Sequence, residues 1–264
     1  MSVLSPRNSW QVTRAVWYAL FMREALAKTT QDRFAWFWML VEPIAMIAVM
    51  IGIRTVLMGG EHISGASLIA WMLLGLLGFY LFRDGLQRSL GAIQAYKGLF
   101  AYRQVKSIDP VLVRCFLDGV IQSFIFIAFV LIAALVGMDF IAVEPLYALF
   151  SWLSLWGLGL GAALTFSAMS ELIPEVGKVI RITTLPLLII SGVILPLNFL
   201  PFWLQELLLL NPVVHGLEFL RMSFFENYHH LKGVSWGYLW FWNLSLISLG
   251  LMLHIRFEAR LKAQ

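Results

Sequence analysis

One cysteine, Cys115, stands in 264 residues. It excludes an intrachain disulfide and any cysteine-built metal cluster, and says little about redox compartment. Charge is scarce too: 13% of the residues are Asp, Glu, Lys or Arg, about half the ~25% of an ordinary soluble domain. There is no GxxxxGK followed by Ser or Thr, since Gly177-Lys178 runs into Val179. The chain therefore has no P-loop to cradle a nucleotide phosphate, and if ATP drives anything, a separate subunit hydrolyses it. No Ser/His/Asp order suggests nucleophilic catalysis. Asp109, Asp118 and Asp139 do not make the metal-binding acidic motif of a membrane transferase, and His229-His230 has neither Cys nor an acidic cluster beside it. No catalytic residue and no metal ligand is assigned.

What abounds is apolar. The composition is 60% hydrophobic, with eleven Trp and twenty Phe and a mean hydropathy of +0.82. A water-soluble fold could not hide that much apolar surface, which points to an all-α membrane protein. A span needs about 20 mostly apolar residues. Six runs qualify: Trp36–Met58, Ser64–Phe82, Phe116–Met138, Leu146–Met169, Ile182–Leu200 and Trp236–Ile255. Asp109-Pro110 and Glu144-Pro145 read as N-cap plus Pro at the first helical position, starting the third and fourth helices.

The flanking cations set orientation. Residues 1–35 carry five Lys or Arg, 83–115 six, 170–181 two and the 256–264 tail three, against only Arg54, Arg221 and Lys232 on the other side. The positive-inside rule places both termini and the 83–115 loop in the cytoplasm. Residues Ala15–Met22 with Ala25-Leu26-Ala27 loosely mimic a signal peptide, but Arg23 and Glu24 fall between run and site. The better reading of 1–35 is a cytoplasmic segment with an amphipathic interfacial helix, in which Trp10, Val16, Trp17, Leu20 and Phe21 share an arc.

Ionisable residues inside the spans are few: Glu42, Arg54, Asp118 and, at an edge, His254. Glu42 and Asp118 lie near helix ends, where snorkelling serves as well as function. A proton-coupled carrier would want midplane acids and internal repeats, and neither is visible. Gly157-xxx-Gly161 permits close helix approach, within a subunit or across a dimer seam. Residues 191–212, "SGVILPLNFLPFWLQELLLLNP", follow Pro186 and contain Pro196 and Pro201. Three prolines break the fifth helix here, and Phe202–Leu210 is too short to span, which fits a re-entrant pair of short helices on the outer side.

The 83–115 loop is more than a topogenic stretch. Tyr96, Leu99, Phe100, Tyr102 and Val105 interleave with its cations, a composition suited to a groove on a soluble partner. Gly98 would bend it into a short helix across the membrane plane.

These residues resemble the ABC-2 type permeases that export capsular polysaccharide across the inner membrane of Gram-negative bacteria. The resemblance covers nearly the whole chain: Trp38 with Glu42-Pro43, "RSLGAIQAYKGLFAYRQVKSID" at 88–109, "PEVGKV" at 174–179, "LPLNFLP" at 195–201 and "NPVVHGLEFLR" at 211–221. The Lys97–Lys106 block is the most specific to capsule export. The Asn211-Pro212 to Arg221 block is shared with other glycan and lipid exporters, so an O-antigen exporter is the nearest alternative.

The resemblance implies a homodimer of six-helix subunits, two cytoplasmic ATPase subunits that bind the ATP and Mg, a periplasmic adaptor, an outer-membrane exporter and a lipid-anchored polysaccharide cargo. Nucleic acid is not an expected partner. It implies that Lys97, Gly98, Leu99, Phe100, Tyr102, Arg103, Val105, Lys106 and Asp109 receive the ATPase stroke, with Glu175 and Lys178 as a second contact. Cargo would be taken up near Arg23, Arg33, Trp38, Glu42, Arg83 and Arg88. Pro196, Pro201, Asn211, Pro212, Glu218 and Arg221 would belong to a periplasmic gate.

Overall fold

Long apolar runs without backbone partners elsewhere satisfy their own N–H and C=O groups as helices, and the computed structural model is almost wholly helical. It describes residues 8–30, 35–57, 62–63, 66–135, 137 and 140–263. Helix α1 spans Ser9–Thr30 and α2 spans Ala35–Leu57, the latter running through Pro43. A minimal antiparallel hairpin, β1 (His62–Ile63) and β2 (Ala66–Ser67), leads into α3, Leu68–Ser89. Ser67 caps α3 by accepting the Ala70 N–H. The short helix α4 (Ala92–Ala95) and a 3-10 turn at Lys97–Ala101 precede α5 (Asp109–Leu135) and α6 (Pro145–Leu172). Helix α7 covers Pro174–Ile190, α8 Phe202–Leu208, α9 Pro212–Met222, α10 Trp236–Arg256 and α11 Glu258–Ala263.

Among the described residues, α3, α5, α6 and α10 are long and apolar enough to cross a membrane. The expected spans fall on helices but their ends move. Helix α3 carries on past Phe82 to Ser89, and α5 starts at Asp109, so both ends of the expected 83–115 loop are helical. Similarly, the expected 170–181 loop is a sharp turn at Ile173 between two helices. The fifth run differs most. Its helix starts at Pro174 rather than Ile182, runs through Pro186, and stops at Ile190 rather than Leu200. The break sits at Gly192, whose φ of +71° only glycine takes up cheaply. Pro186 is thus carried inside α7 and does not break it.

The punctuation is also more particular than expected. Pro145 is the first residue of α6, but the Glu144 side chain makes no capping bond. Asp109 lies inside the first turn of α5, where its Oδ2 accepts the Lys106 N–H at 2.8 Å. That bond closes the preceding loop instead of capping the helix.

Helix α6 is the hub, packed by α3, α5, α7, α9 and α10. The largest buried cluster joins α3, α6 and α9 through Leu74, Leu77, Phe79, Leu155, Leu217 and Leu220. Small residues set the approach of α6 and α10. A Cβ on Gly161 would lie 2.9 Å from Leu246 Cβ, and one on Gly250 would lie 2.8 Å from the Thr165 backbone nitrogen. The Thr165 hydroxyl donates to the Leu246 carbonyl at 2.7 Å across the same seam. The Gly157-xxx-Gly161 pair therefore packs within the subunit, Gly157 against Asn243 and Gly161 against α10.

Overpacking a tight seam costs about 1–3 kcal/mol. Gly250→Val should lower the thermal midpoint of the detergent-purified protein by several degrees. Gly98→Ala, where an added Cβ meets nothing within 4 Å, should leave it unchanged. Equal midpoints for Gly250→Val and the parent would show that α6 and α10 do not meet as described.

Candidate functional site

The two ends of the bundle carry different polar constructions. At one end lie α1, the segment 90–108, the start of α5, the α6–α7 turn and the end of α10. Val16 and Leu20 of α1 bury against Tyr96, Val105 and Val113 with Phe21 packed beside them, three residues of the apolar arc read from the sequence, whereas Trp17 of that arc is exposed. Trp10 and Tyr18 remain exposed.

Polar bonds hold α1 in place as well. Glu24 accepts the Tyr96 hydroxyl at 2.7 Å and the Arg114 Nε–H at 2.6 Å. Burial, followed by the Glu24 carboxylate, holds the Tyr96 phenol protonated well above its ordinary range. The Arg23 and Arg114 guanidinium groups lie 4.7 Å and 5.4 Å from the centre of the Tyr96 ring. One turn along α5, Asp118 Oδ1 accepts Lys28 Nζ at 2.6 Å and Arg88 Nη1 at 2.7 Å. The Trp17 indole N–H donates to Asp109 Oδ1 at 2.8 Å.

The segment 90–108 is tied down on its other side. Lys97 pairs with Glu171 at 3.2 Å, and the Ser170 hydroxyl donates to the Leu90 carbonyl at 3.0 Å. Ser107 hydrogen-bonds buried His254 of α10 at 3.2 Å.

The residues expected to couple to an ATPase thus divide in two. Val105 and Asp109 are buried, and Leu99 and Phe100 are half-buried against the chain's own clusters. Tyr102, Arg103 and Lys106 are exposed, as are Gly98 at the turn and Glu175 and Lys178 at the start of α7.

The residues expected at cargo uptake also divide. Trp38, Glu42 and Arg83 line a groove of about 940 Å³ between α2, α3 and α7. There Arg83 pairs with Asp84 at 2.7 Å and Glu42 at 3.6 Å, its guanidinium 3.9 Å from the centre of the Tyr80 ring. Arg23 and Arg88 line a separate cavity of about 490 Å³ under α1. Arg33 lies outside the described residues, as do Asp139 and the side chain of Arg54.

At the opposite end, two of the residues expected at a gate, Glu218 and Arg221, share a buried network, while Asn211 and Pro212 are half-buried and Pro201 is exposed. Arg221 and Glu218 are 1% and 3% exposed and pair at 3.1 Å. Arg221 Nη2 donates to the Gly192 carbonyl at 2.9 Å, and its guanidinium sits 3.6 Å from the centre of the Trp71 ring. Glu218 also accepts the Tyr228 hydroxyl at 2.9 Å and the Leu231 N–H at 3.0 Å. Asn211 caps α9 through the Val213 N–H and donates to Ser191 at 2.9 Å, with Pro212 first in the helix. Pro196 and Pro201 immediately precede the 3-10 turn Leu197–Phe199 and α8. His215 Nδ1 accepts the Ser235 N–H, which leaves Nε2 to donate to the Leu209 carbonyl, and burial lowers its pKa. His229 and His230 are exposed, and no group of three metal-ligating side chains occurs among the described residues.

The sequence reading missed Glu24, Lys28, Tyr96, Arg114 and Asp118 as one cluster. Two signals were present: Arg114 and Asp118 share a face of α5, and Glu24 and Lys28 share a face of α1, each pair four residues apart. That the two pairs meet had no local mark, because they are remote in sequence.

Comparison with known proteins fits this arrangement. The chain matches the family model described as ABC-2 type transporter over residues 15–225. It is 33% identical over 248 residues, 94% of this chain and 95% of the relative, to the polysialic acid transport protein KpsM of Escherichia coli. It is 26% identical to the capsule polysaccharide export inner-membrane protein CtrC of Neisseria meningitidis serogroup A, across 97% of this chain and 96% of that one. Identity is again 26% to the capsule polysaccharide export inner-membrane protein BexB of Haemophilus influenzae, over 98% and 97% of the two chains. The chain belongs to the ABC-2 type transporter membrane family.

Removing a charged hydrogen-bond acceptor from a partly buried site costs about 1–3 kcal/mol. Glu24→Gln should therefore lower thermal stability by about that much and speed hydrogen exchange in α1 and at 96–101 together. Tyr96→Phe should do less. Unchanged exchange in α1 after Glu24→Gln would show that the polar clasp does not hold it.

Proposed function

We propose that this chain is the permease subunit of an ATP-driven exporter that moves lipid-linked capsular polysaccharide across the inner membrane of a Gram-negative bacterium. The observation that carries the reading is similarity along almost the entire length to three relatives whose names state capsule or polysialic acid export. The chain lacks a P-loop of its own, so ATP and Mg are bound by two partner ATPase subunits. The working unit is a homodimer that meets a periplasmic adaptor and an outer-membrane exporter.

In this reading α2 and α7 cross the membrane alongside α3, α5, α6 and α10, giving six spans. Helices α8 and α9 are the re-entrant pair on the periplasmic side. Both termini lie in the cytoplasm, supported by the imbalance of flanking cations. The end with α1 and segment 90–108 then faces the ATPases, and the Glu218–Arg221 network lies at the periplasmic gate.

The contact with the ATPase is made by what is free to make it: Tyr102, Arg103 and Lys106, with Glu175 and Lys178 beside them. Leu99, Phe100, Val105 and Asp109 give that surface its shape, while Lys97 ties it to α6. Work reaches the spans because segment 90–108 is bonded to α1, α5, α6 and α10 at once. Coupling requires that the two nucleotide states of the ATPase contact this surface differently.

Two measurements test this reading. An interface aromatic commonly contributes about 2 kcal/mol or more, which is over tenfold in affinity. Tyr102→Ala should leave the permease folded and inserted yet cut co-purification of a co-expressed ATPase at least tenfold, whereas Lys106→Ala should do much less. Phe100→Ala should lower thermal stability as well as coupling, because Phe100 packs on its own subunit. Wild-type ATPase binding and export in a Tyr102→Ala/Arg103→Ala double variant would reject the coupling surface.

For topology, the native Cys115 is buried, so thiol labelling reports introduced cysteines. Lys232→Cys should be labelled from the periplasm and Ala263→Cys only after the membrane is permeabilised. The reverse pattern would overturn the orientation.

A further inference from the structure

Leu246, Gly250 and His254 recur every four residues on α10 and so share one face of it. The first two make the tight seam with α6, where Thr165 donates to the Leu246 carbonyl and Gly250 leaves no room for a side chain. His254 is the next residue of that stripe, and it does more than fill space. Its ring is 2% exposed, and both nitrogens face hydroxyl groups, Nδ1 that of Ser107 at 3.2 Å and Nε2 that of Ser167 at 3.4 Å. Ser107 lies at the end of segment 90–108, whereas Ser167 belongs to α6.

The direction of these bonds follows from one hydrogen. Ser167 spends its hydroxyl hydrogen on the Leu164 carbonyl at 3.2 Å, so it can only accept from the ring. Nε2 is therefore assigned the proton, and Nδ1 accepts from Ser107. A single chain results, from the Ser107 hydroxyl through the imidazole and Ser167 to the backbone of α6.

This joint is stiffer than its neighbours. Segment 90–108 is also tied to α6 by Lys97 with Glu171 and by Ser170 with the Leu90 carbonyl. Lys97, Glu171 and Ser170 are half-buried, however, and water can replace a partner that moves away. Ser107 is 1% exposed, so shifting it against α10 would strand Nδ1 without a donor in apolar surroundings. Leu164 and Ala168 beside Ser167, and Leu253 beside His254, belong to or pack on one buried apolar cluster. An apolar side chain at this position would pack there at less cost. What the imidazole adds is direction, because hydrogen bonds fail when misaligned while apolar side chains slide.

We propose that His254 is the positioning residue that carries nucleotide-driven movement of segment 90–108 into α10 and, through the seam, into α6. The proposal rests on the reading of that segment as the ATPase contact. It adds the side chain that turns contact into motion of two spans.

The test uses the full-length permease purified with its co-expressed ATPase and needs no cargo. Hydrogen exchange would be followed without nucleotide and with ATP plus vanadate, which holds the ATPase in one state. In the parent, nucleotide should alter exchange in 90–108 and in 251–263 together. Ser107→Ala and His254→Leu should keep ATPase co-purification and the response in 90–108, yet cut the response in 251–263 about fivefold or more. Ser107→Ala/His254→Leu should lose no more than either alone, since both interrupt one chain. His254→Asn, whose amide oxygen stands near the place of Nδ1, should recover the response. His254→Gln, which reaches toward Ser167 only, should not. Ser154→Ala, which removes a buried hydroxyl bonded within its own helix, should change nothing.

A merely structural histidine gives a different pattern: a lower thermal midpoint in the variants, with the nucleotide response of 251–263 intact. That pattern overturns the inference, and Ser107→Ala, the smallest change, decides it should His254→Leu fail to accumulate. The coupling surface would then still stand, because ATPase binding and the response in 90–108 test it separately. A parent with no response in 90–108 would sink both.

Discussion

Glu24 and Asp118 each gather two donors at their first oxygen, and in both cases the donors come from more than one element. Glu24 on α1 takes Tyr96 from the connecting segment and Arg114 from α5, while Asp118 on α5 takes Lys28 from α1 and Arg88 from α3. Carboxylates so placed are expensive to strip of their partners, because low surrounding polarity magnifies an unpaired charge. Helix α1 thus cannot lift away without exposing two acids and three cations at once. Its apolar face, with Val16 and Leu20 on Tyr96, Val105 and Val113, adds dry contact to the same clasp. A helix that would otherwise merely rest at an interface is made part of the bundle.

The far end solves a different problem with the same chemistry. The chain breaks at Gly192, and the broken backbone leaves carbonyl groups that need donors. Arg221 supplies one to the Gly192 carbonyl and is itself neutralised by Glu218 and covered by the Trp71 ring. Gly75 and Gly78 on α3 are the complement: a side chain at Gly75 would run into the Arg221 guanidinium, and one at Gly78 into Leu217 and Leu220. One ion pair therefore joins α3, the end of α7 and α9. Between the two polar ends lies a dry middle of leucines and phenylalanines around α6, close-packed and so able to pass displacement from end to end rather than absorb it.

Much of this was legible in the sequence because hydropathy and punctuation are local. The long apolar runs gave α2, α3, α5, α6 and α10, and Asn211-Pro212 marked the start of α9. Of the arc Trp10, Val16, Trp17, Leu20 and Phe21, Val16 and Leu20 are buried and Phe21 half-buried, while Trp10 and Trp17 stay exposed. The fifth run was misjudged for a physical reason: Pro186 looks like a break, yet α7 carries it, while the real break needed the positive φ of Gly192. The clusters were harder to foresee. Glu24 and Arg114 are remote in sequence, and nothing local pairs them. Leu99 and Phe100 look from composition like residues offered to a partner, but only the tertiary fold shows that they are half spent on their own subunit.

That division within residues 97–106 has a mechanical consequence. In the coupling role proposed for it, this surface would have to be stiff enough to pass on force. Here four residues are committed inward, Leu99 and Phe100 to the clusters beneath, Val105 to the face of α1, and Lys97 to Glu171. The residues left outward, Tyr102, Arg103 and Lys106, are therefore presented on a backbone pinned on several sides. Pressure on Tyr102 is met by α1 through Tyr96 and Val105, by α6 through Lys97, and by α10 through Ser107 and His254. In the proposed coupling role the charges and rings of this basic stretch would brace a small platform, leaving only a few of them to face a partner.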